Sequence, residues 1–115
     1  MSDKPIAWAG ASFKDLMNDD IFSLEARKVA GSQLRKIQRG DEPDDWKPFD
    51  EIGIGTKEIR IKLPDGAFRI MYVAKFPEAV YVLHCFKKKA QKTSQPDKDL
   101  AKQRYKLIIQ ERSKK

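Results

Sequence analysis

From residue 57 onward the chain alternates. Ile59, Ile61 and Leu63 point one way and Glu58, Arg60 and Lys62 the other, the period-two signature of a half-buried strand. Pro64-Asp65-Gly66 is a turn, with Gly66 supplying a positive φ. The return strand, Phe68 to Ala74, sets Phe68, Ile70 and Tyr72 against Arg69, Met71 and Val73. A second turn at Lys75–Glu78 leads to Val80–Phe86, an uncharged run rich in β-branched and aromatic residues that reads as a well-buried strand. These three segments predict an antiparallel meander.

A different period governs the flanks. Ala26, Val29, Ala30, Leu34 and Ile37 recur three and four apart, which makes one face of a helix capped by Asp20 or Ser23 and stopped by Gly40. Gly31, inside it, either permits close packing or is simply a cost. Ser12 is the expected cap of a short helix over Phe13–Met17, and Ile6–Ala9 fits an edge strand. Residues 41–50, with two prolines and five acids, read as a loop. Thr93 or Ser94 caps a final helix, and Ser94 with Asp97 forms a capping box. Its apolar stripe is Leu100, Ala101, Leu107 and Ile108, and its end from Arg112 to Lys115 is expected to fray. The order is helix, helix, three or four antiparallel strands, helix: an α+β chain in one domain, residues 1–115, with the helices on one face of the sheet and the other face open.

Charge sharpens this picture. Residues 1–56 carry eight Lys/Arg against eleven Asp/Glu, a net of −3; residues 57–115 carry sixteen against six, a net of +10. The basic half suits a polyanion, held largely by counterion release. Its sharpest feature follows the buried strand, where Lys87, Lys88, Lys89 and Lys92 are delivered to the sheet's edge. One histidine and one cysteine argue against a zinc site, and no glycine-rich phosphate loop is present. Cys85 sits within the core strand as a small hydrophobe, with no disulfide framework. A reducing cytoplasm fits that lone cysteine; the N-terminus lacks a signal peptide's apolar core and no run approaches a membrane span, so no membrane is expected, and no cofactor or metal either.

What remains is a cationic site of Arg60, Arg69, His84, Lys87, Lys88, Lys89 and Lys92. RNA carries its own nucleophile, so such a site need only align the 2′-OH, move its proton, stabilise the phosphorane and protonate the leaving oxygen. Each residue also has a plainer reading: the arginines as partners of acids across the sheet, and His84, in alternation with Val82 and Phe86, as structural if that face is packed and catalytic if it is open.

The ordered motifs E-I-R (Glu58–Arg60), R-x-x-Y (Arg69–Tyr72), L-H-x-F-x-K-K (Leu83–Lys89) and the A-x-x-R helix (Ala101–Arg104) resemble the phage-derived HigB-like branch of the RelE/ParE toxin superfamily over roughly residues 44–108. The resemblance implies a RelE-like fold, with N-terminal helices and a C-terminal helix packed around a small twisted antiparallel sheet. It implies the toxin of a type II toxin–antitoxin pair, a ribosome-dependent, metal-independent mRNA endoribonuclease, partnered by mRNA on the ribosome and by a helix-turn-helix antitoxin. Carried over by motif are Glu58, Arg60, Arg69, Tyr72, His84, Phe86, Lys88, Lys89, Ala101 and Arg104; of the whole set, Arg60, Arg69, Lys88, Lys89 and His84 are the expected catalytic residues, and Lys62, Lys87, Lys92, Thr93 and Arg104 the expected RNA contacts. Arg60, Arg69 and Lys87–Lys89 are expected to converge near the start of the final helix. The alternative is a non-catalytic member of the fold, a gyrase-directed inhibitor or an inert nucleic-acid-binding protein.

Overall fold

A computed structural model describes residues 3–114. Its elements are β1 (Ile6–Trp8), α1 (Ser12–Leu16), α2 (Leu24–Gln38), β2 (Trp46–Pro48), β3 (Thr56–Leu63), β4 (Gly66–Val73), β5 (Val80–Lys88) and α3 (Gln95–Ser113). They form a mixed α+β structure around a five-stranded sheet of order β1-β5-β4-β3-β2. The meander β3-β4-β5 is antiparallel as the alternation predicts, but β1 joins β5 in parallel, so the sheet is not purely antiparallel. The expected 41–50 loop also contains a strand. Trp46–Pro48 pairs with Lys57–Ile59, and Pro48, which cannot donate, is tolerated because β2 is an edge.

The helices do not share a face. The α2 face carries Ala26, Ala30, Leu34 and Ile37, which with Leu16 and Phe22 pack on Ile59, Ile61, Phe68, Ile70, Tyr72, Val80, Val82 and Cys85. On the opposite face α3 lays Ala101 and Ile108 over Met71, Val73, Leu83 and Phe86, joined by Ile52 and Phe76. A Tyr, Phe or Ile buried in such a layer contributes about 1.5–3 kcal/mol, so each sheet face is pinned by its own helix. The stripe on α3 also differs from the expected one. Arg104 is buried within it, while Leu107 is 55% exposed. The helix persists to Ser113; Lys115 lies outside the described residues.

Local signals act largely as expected. Ser23 caps α2 through Ala26 N–H, and Gly40 follows at φ 92°. Ser94 Oγ accepts from Asp97 N–H to cap α3. Ser12 is different: it is the first residue of α1 rather than its cap, and its buried hydroxyl donates to Val82 O at 3.1 Å. No helix among the described residues is long and apolar enough to cross a membrane.

One irregularity matters for the site. Met71 lies opposite His84 and Tyr72 opposite Val82, so Leu83 is an extra residue in β5. This β-bulge breaks the alternation on which a shared face for Val82 and His84 rested. Val82 faces α2, whereas Leu83, His84 and Phe86 face α3.

Candidate functional site

Register gathers the chemistry into cross-strand rows on the α3 side of the sheet. Lys47, Glu58, Met71 and His84 form one row, Arg60, Arg69 and Phe86 the next, and Lys62, Ala67 and Lys88 the last. The first row runs under α3. In the other two Arg69 and Phe86 are buried, Arg60, Ala67 and Lys88 are partly exposed and Lys62 is exposed. Ala67, Arg69, Lys88, Lys89, Ala90 and Gln91 line a shallow cleft there of about 380 Å³. A deeper neighbouring cleft of about 440 Å³ shares Lys88, Lys89 and Ala90 with it and reaches His84, Asp15, Asp20 and Asp97. The shallower cleft has no acid in its lining, so an anion is better accommodated there.

Arg60 and Arg69 lie directly opposite one another, an arrangement that repels unless carboxylates intervene. Arg60 pairs with Asp45 at 2.8 Å while remaining partly exposed. Arg69 is only 5% exposed; its Nη1 donates to Phe68 O at 3.0 Å, and its Nε lies 3.7 Å from Glu58 Oε1. Burial lowers its proton affinity, and Glu58 opposes that shift. Alternation alone placed Arg69 outside the apolar set, but its guanidinium forms a buried wall of the cleft. Lys88, on the same face, has its pKa lowered by burial and then by Arg69.

Glu58 is 1% exposed, and neither carboxylate oxygen has a hydrogen-bond partner. Its nearest cations are Lys47 Nζ and Arg69 Nε, each at 3.7 Å. Burial raises its pKa despite Lys47 and Arg69. The sequence marks Glu58 as part of a motif, but nothing in it signals that this carboxylate is buried and unsatisfied. Lys47 was overlooked because it falls within the segment read as a loop.

Of the other expected residues, Lys87, Lys92 and His84 line the deeper cleft with Lys88 and Lys89, beside Ser94 and Asp97 at the start of α3. Lys87 faces the α2 side: it pairs with Phe68 and holds its ammonium over the Phe68 ring, 5.7 Å from the centroid. Thr93 is 9% exposed, not presented at the surface. Arg104 is buried, and its Nη1 donates to Leu83 O at 2.9 Å, satisfying the carbonyl of the bulged residue. His84 is buried beneath α3, stacked on Phe86 with centroids 4.8 Å apart. Its Nε2 is 2.7 Å from Asp97 Oδ1 and its Nδ1 is 3.4 Å from Arg104 Nη1, the arrangement of a neutral ring with its proton on Nε2. Burial lowers its pKa, against the pull of Asp97. Asp97 therefore accepts from Ser94 Oγ as well as facing His84, coupling the helix cap to β5. Lys62, Lys89 and Lys92 are exposed.

No group of three or more His, Cys, Asp or Glu among the described residues is arranged to hold a metal ion. A family model described as phage-derived protein Gp49-like (DUF891) matches residues 19–106. No curated protein matches the chain.

Proposed function

The chain belongs to the phage-derived Gp49-like family, and from that premise we propose that it is the toxin of a type II toxin–antitoxin pair, an endoribonuclease that cuts mRNA on the ribosome. The reading places it with the HigB-like toxins of RelE-like fold, acting in the cytoplasm and neutralised by a helix-turn-helix antitoxin. One observation carries it: Arg69, Lys88 and Lys89 line a single cleft without an acid, with Arg60 directly across from Arg69.

In this mechanism the scissile phosphate lies against Arg69, Lys88 and Lys89. The neighbouring 2′-OH attacks phosphorus, and the charge gathered on the phosphorane is met by cations already fixed by the sheet. Such preorganised groups need no reorganisation as the charge develops. Lys88, with its lowered proton affinity, protonates the leaving 5′-oxygen. Arg60 keeps its Asp45 partner at rest and turns to phosphate when RNA enters. Lys62 and Lys92 guide the flanking backbone by charge. His84 positions β5 against α3 rather than exchanging protons, because it is buried, neutral and held at both nitrogens.

The test is induced expression. Wild type should arrest growth and translation, while Lys88→Met, at a half-exposed side chain whose loss should leave the fold intact, should relieve both. Arrest of equal strength by Lys88→Met, with the mRNA intact, would instead favour a non-catalytic inhibitor.

A further inference from the structure

We propose that Glu58 is the proton acceptor for the 2′-OH, an assignment that rests on the proposed RNA cleavage. The argument begins with an anomaly. Buried carboxylates are normally hydrogen-bonded, because an unpaired one bears most of its desolvation cost. Glu58 is 1% exposed with both oxygens unpartnered. The two cations beside it stand at 3.7 Å, too far to fill its lone pairs. A carboxylate serving only to anchor Arg69 would be expected to engage it by a direct, preferably bidentate, hydrogen bond. Glu58 instead keeps its acceptor capacity free.

Its position suits the chemistry. Glu58 lies on the same sheet face as Arg60, Arg69 and Lys88 and next to Arg69, which walls the cleft. Lys88 lies two cross-strand rows along the same face, on the other side of the Arg69 row. Glu58 and Lys88 thus flank Arg69 as a carboxylate that holds protons more readily than usual and an ammonium that releases one more readily, the division of labour acid–base catalysis needs. Lys47 is 42% exposed and stands 3.7 Å from Glu58 without a hydrogen bond to it; the assignment requires that an RNA phosphate, by offering a charge-assisted hydrogen bond, draw Lys47 aside and bring the 2′-OH to Glu58.

The step balances without a co-reactant. A Glu58 oxygen takes the 2′-OH proton as the 2′-oxygen bonds to phosphorus. The bond from phosphorus to the 5′-oxygen breaks, and that oxygen takes a proton from the Lys88 ammonium. The products are a 2′,3′-cyclic phosphate and a 5′-hydroxyl; both side chains then exchange protons with water.

Single-turnover cleavage of a defined mRNA on translating ribosomes tests this, with wild type and Glu58→Gln followed across pH 4.5–8. Wild type should gain rate with pH through the raised range of one carboxyl group. Glu58→Gln should lose about 10²–10⁴ in rate, together with that acidic limb. A variant within threefold of wild type, or with the limb unchanged, overturns the assignment. A second measurement needs no variant: the Glu58 carboxyl carbon, followed by NMR in wild type, should titrate above the ordinary carboxylate range and shift on adding a 2′-deoxy-substituted oligonucleotide. An unmoved resonance at saturating oligonucleotide also overturns it. Wild type that cleaves nothing would defeat the proposed function itself; cleavage that survives Glu58→Gln would defeat only the present inference.

Discussion

Replacing Arg104 by methionine separates two roles for this residue, a surface contact to RNA and an internal support for β5. The structure favours the second. Methionine retains much of the stem volume but removes a hydrogen bond from a charged donor to Leu83 O, worth about 1.5–3 kcal/mol. That range already covers the cost of depriving the Leu83 carbonyl of its charged donor. Relief of the buried guanidinium's desolvation offsets part of that loss, so a net of about 2 kcal/mol is expected. At about 2.1 cal/mol/K per residue, a chain of 115 residues has an unfolding entropy of about 0.24 kcal/mol/K, which converts the loss into a Tm lower by about 8 °C. Asp15→Asn is the control. Its carboxylate stands 4.0 Å from Arg104 and is partly exposed, so the change should stay within about 0.5 kcal/mol. Thermal unfolding followed by far-UV circular dichroism measures both. A Tm for Arg104→Met within about 2 °C of wild type, with weakened RNA binding, would refute the internal role and restore Arg104 as a surface contact.

Other substitutions read single features. Gly31 is exposed and a Cβ there would meet nothing within 4 Å, so Gly31→Ala should raise stability by about 0.5–1 kcal/mol in urea titration; a lower midpoint would point to a packing role. Burial pushes the Cys85 thiol up, so native protein should react slowly with a thiol reagent and fully once unfolded; rapid native labelling would contradict the buried placement. The folded-state pKa of His84 lies below its ordinary 6.5, so as pH falls the unfolded chain binds that proton first and stability declines below about 6.5. Tm measured at pH 7.5 and 5.5 should therefore fall less for His84→Gln than for wild type, and an equal fall would assign the loss to other groups.

Much of the fold was legible because its signals are local. Alternation in Lys57–Leu63 and Phe68–Val73, the spacing of Ala26, Ala30, Leu34 and Ile37, and the caps Ser23 and Ser94 each act within a few residues. The direction of β1 was hidden, because Ile6–Trp8 has the same pattern beside a parallel or an antiparallel neighbour. The bulge at Leu83 was hidden as well. Val80–Phe86 is buried on both faces, so an extra residue shifts every later side chain without disturbing any polar–apolar alternation. The face on which α3 packs is not set by its own stripe, and that stripe is itself irregular: Arg104 is buried in it and Leu107 stays outside. At the site, the residue types were visible but their partners were not. Asp97 read as a helix cap alone, and its contact with His84 exists only once α3 crosses β5.

The most direct measurement is RNA cleavage by the purified protein itself. Wild type and Lys88→Met would each be added to ribosomes translating one defined mRNA, and the new RNA ends mapped by primer extension. Discrete cuts within the translated frame, bearing 2′,3′-cyclic phosphate and 5′-hydroxyl ends and lost with Lys88→Met, are the predicted result. Intact mRNA at stoichiometric protein, or cuts unchanged by the substitution, would contradict the account.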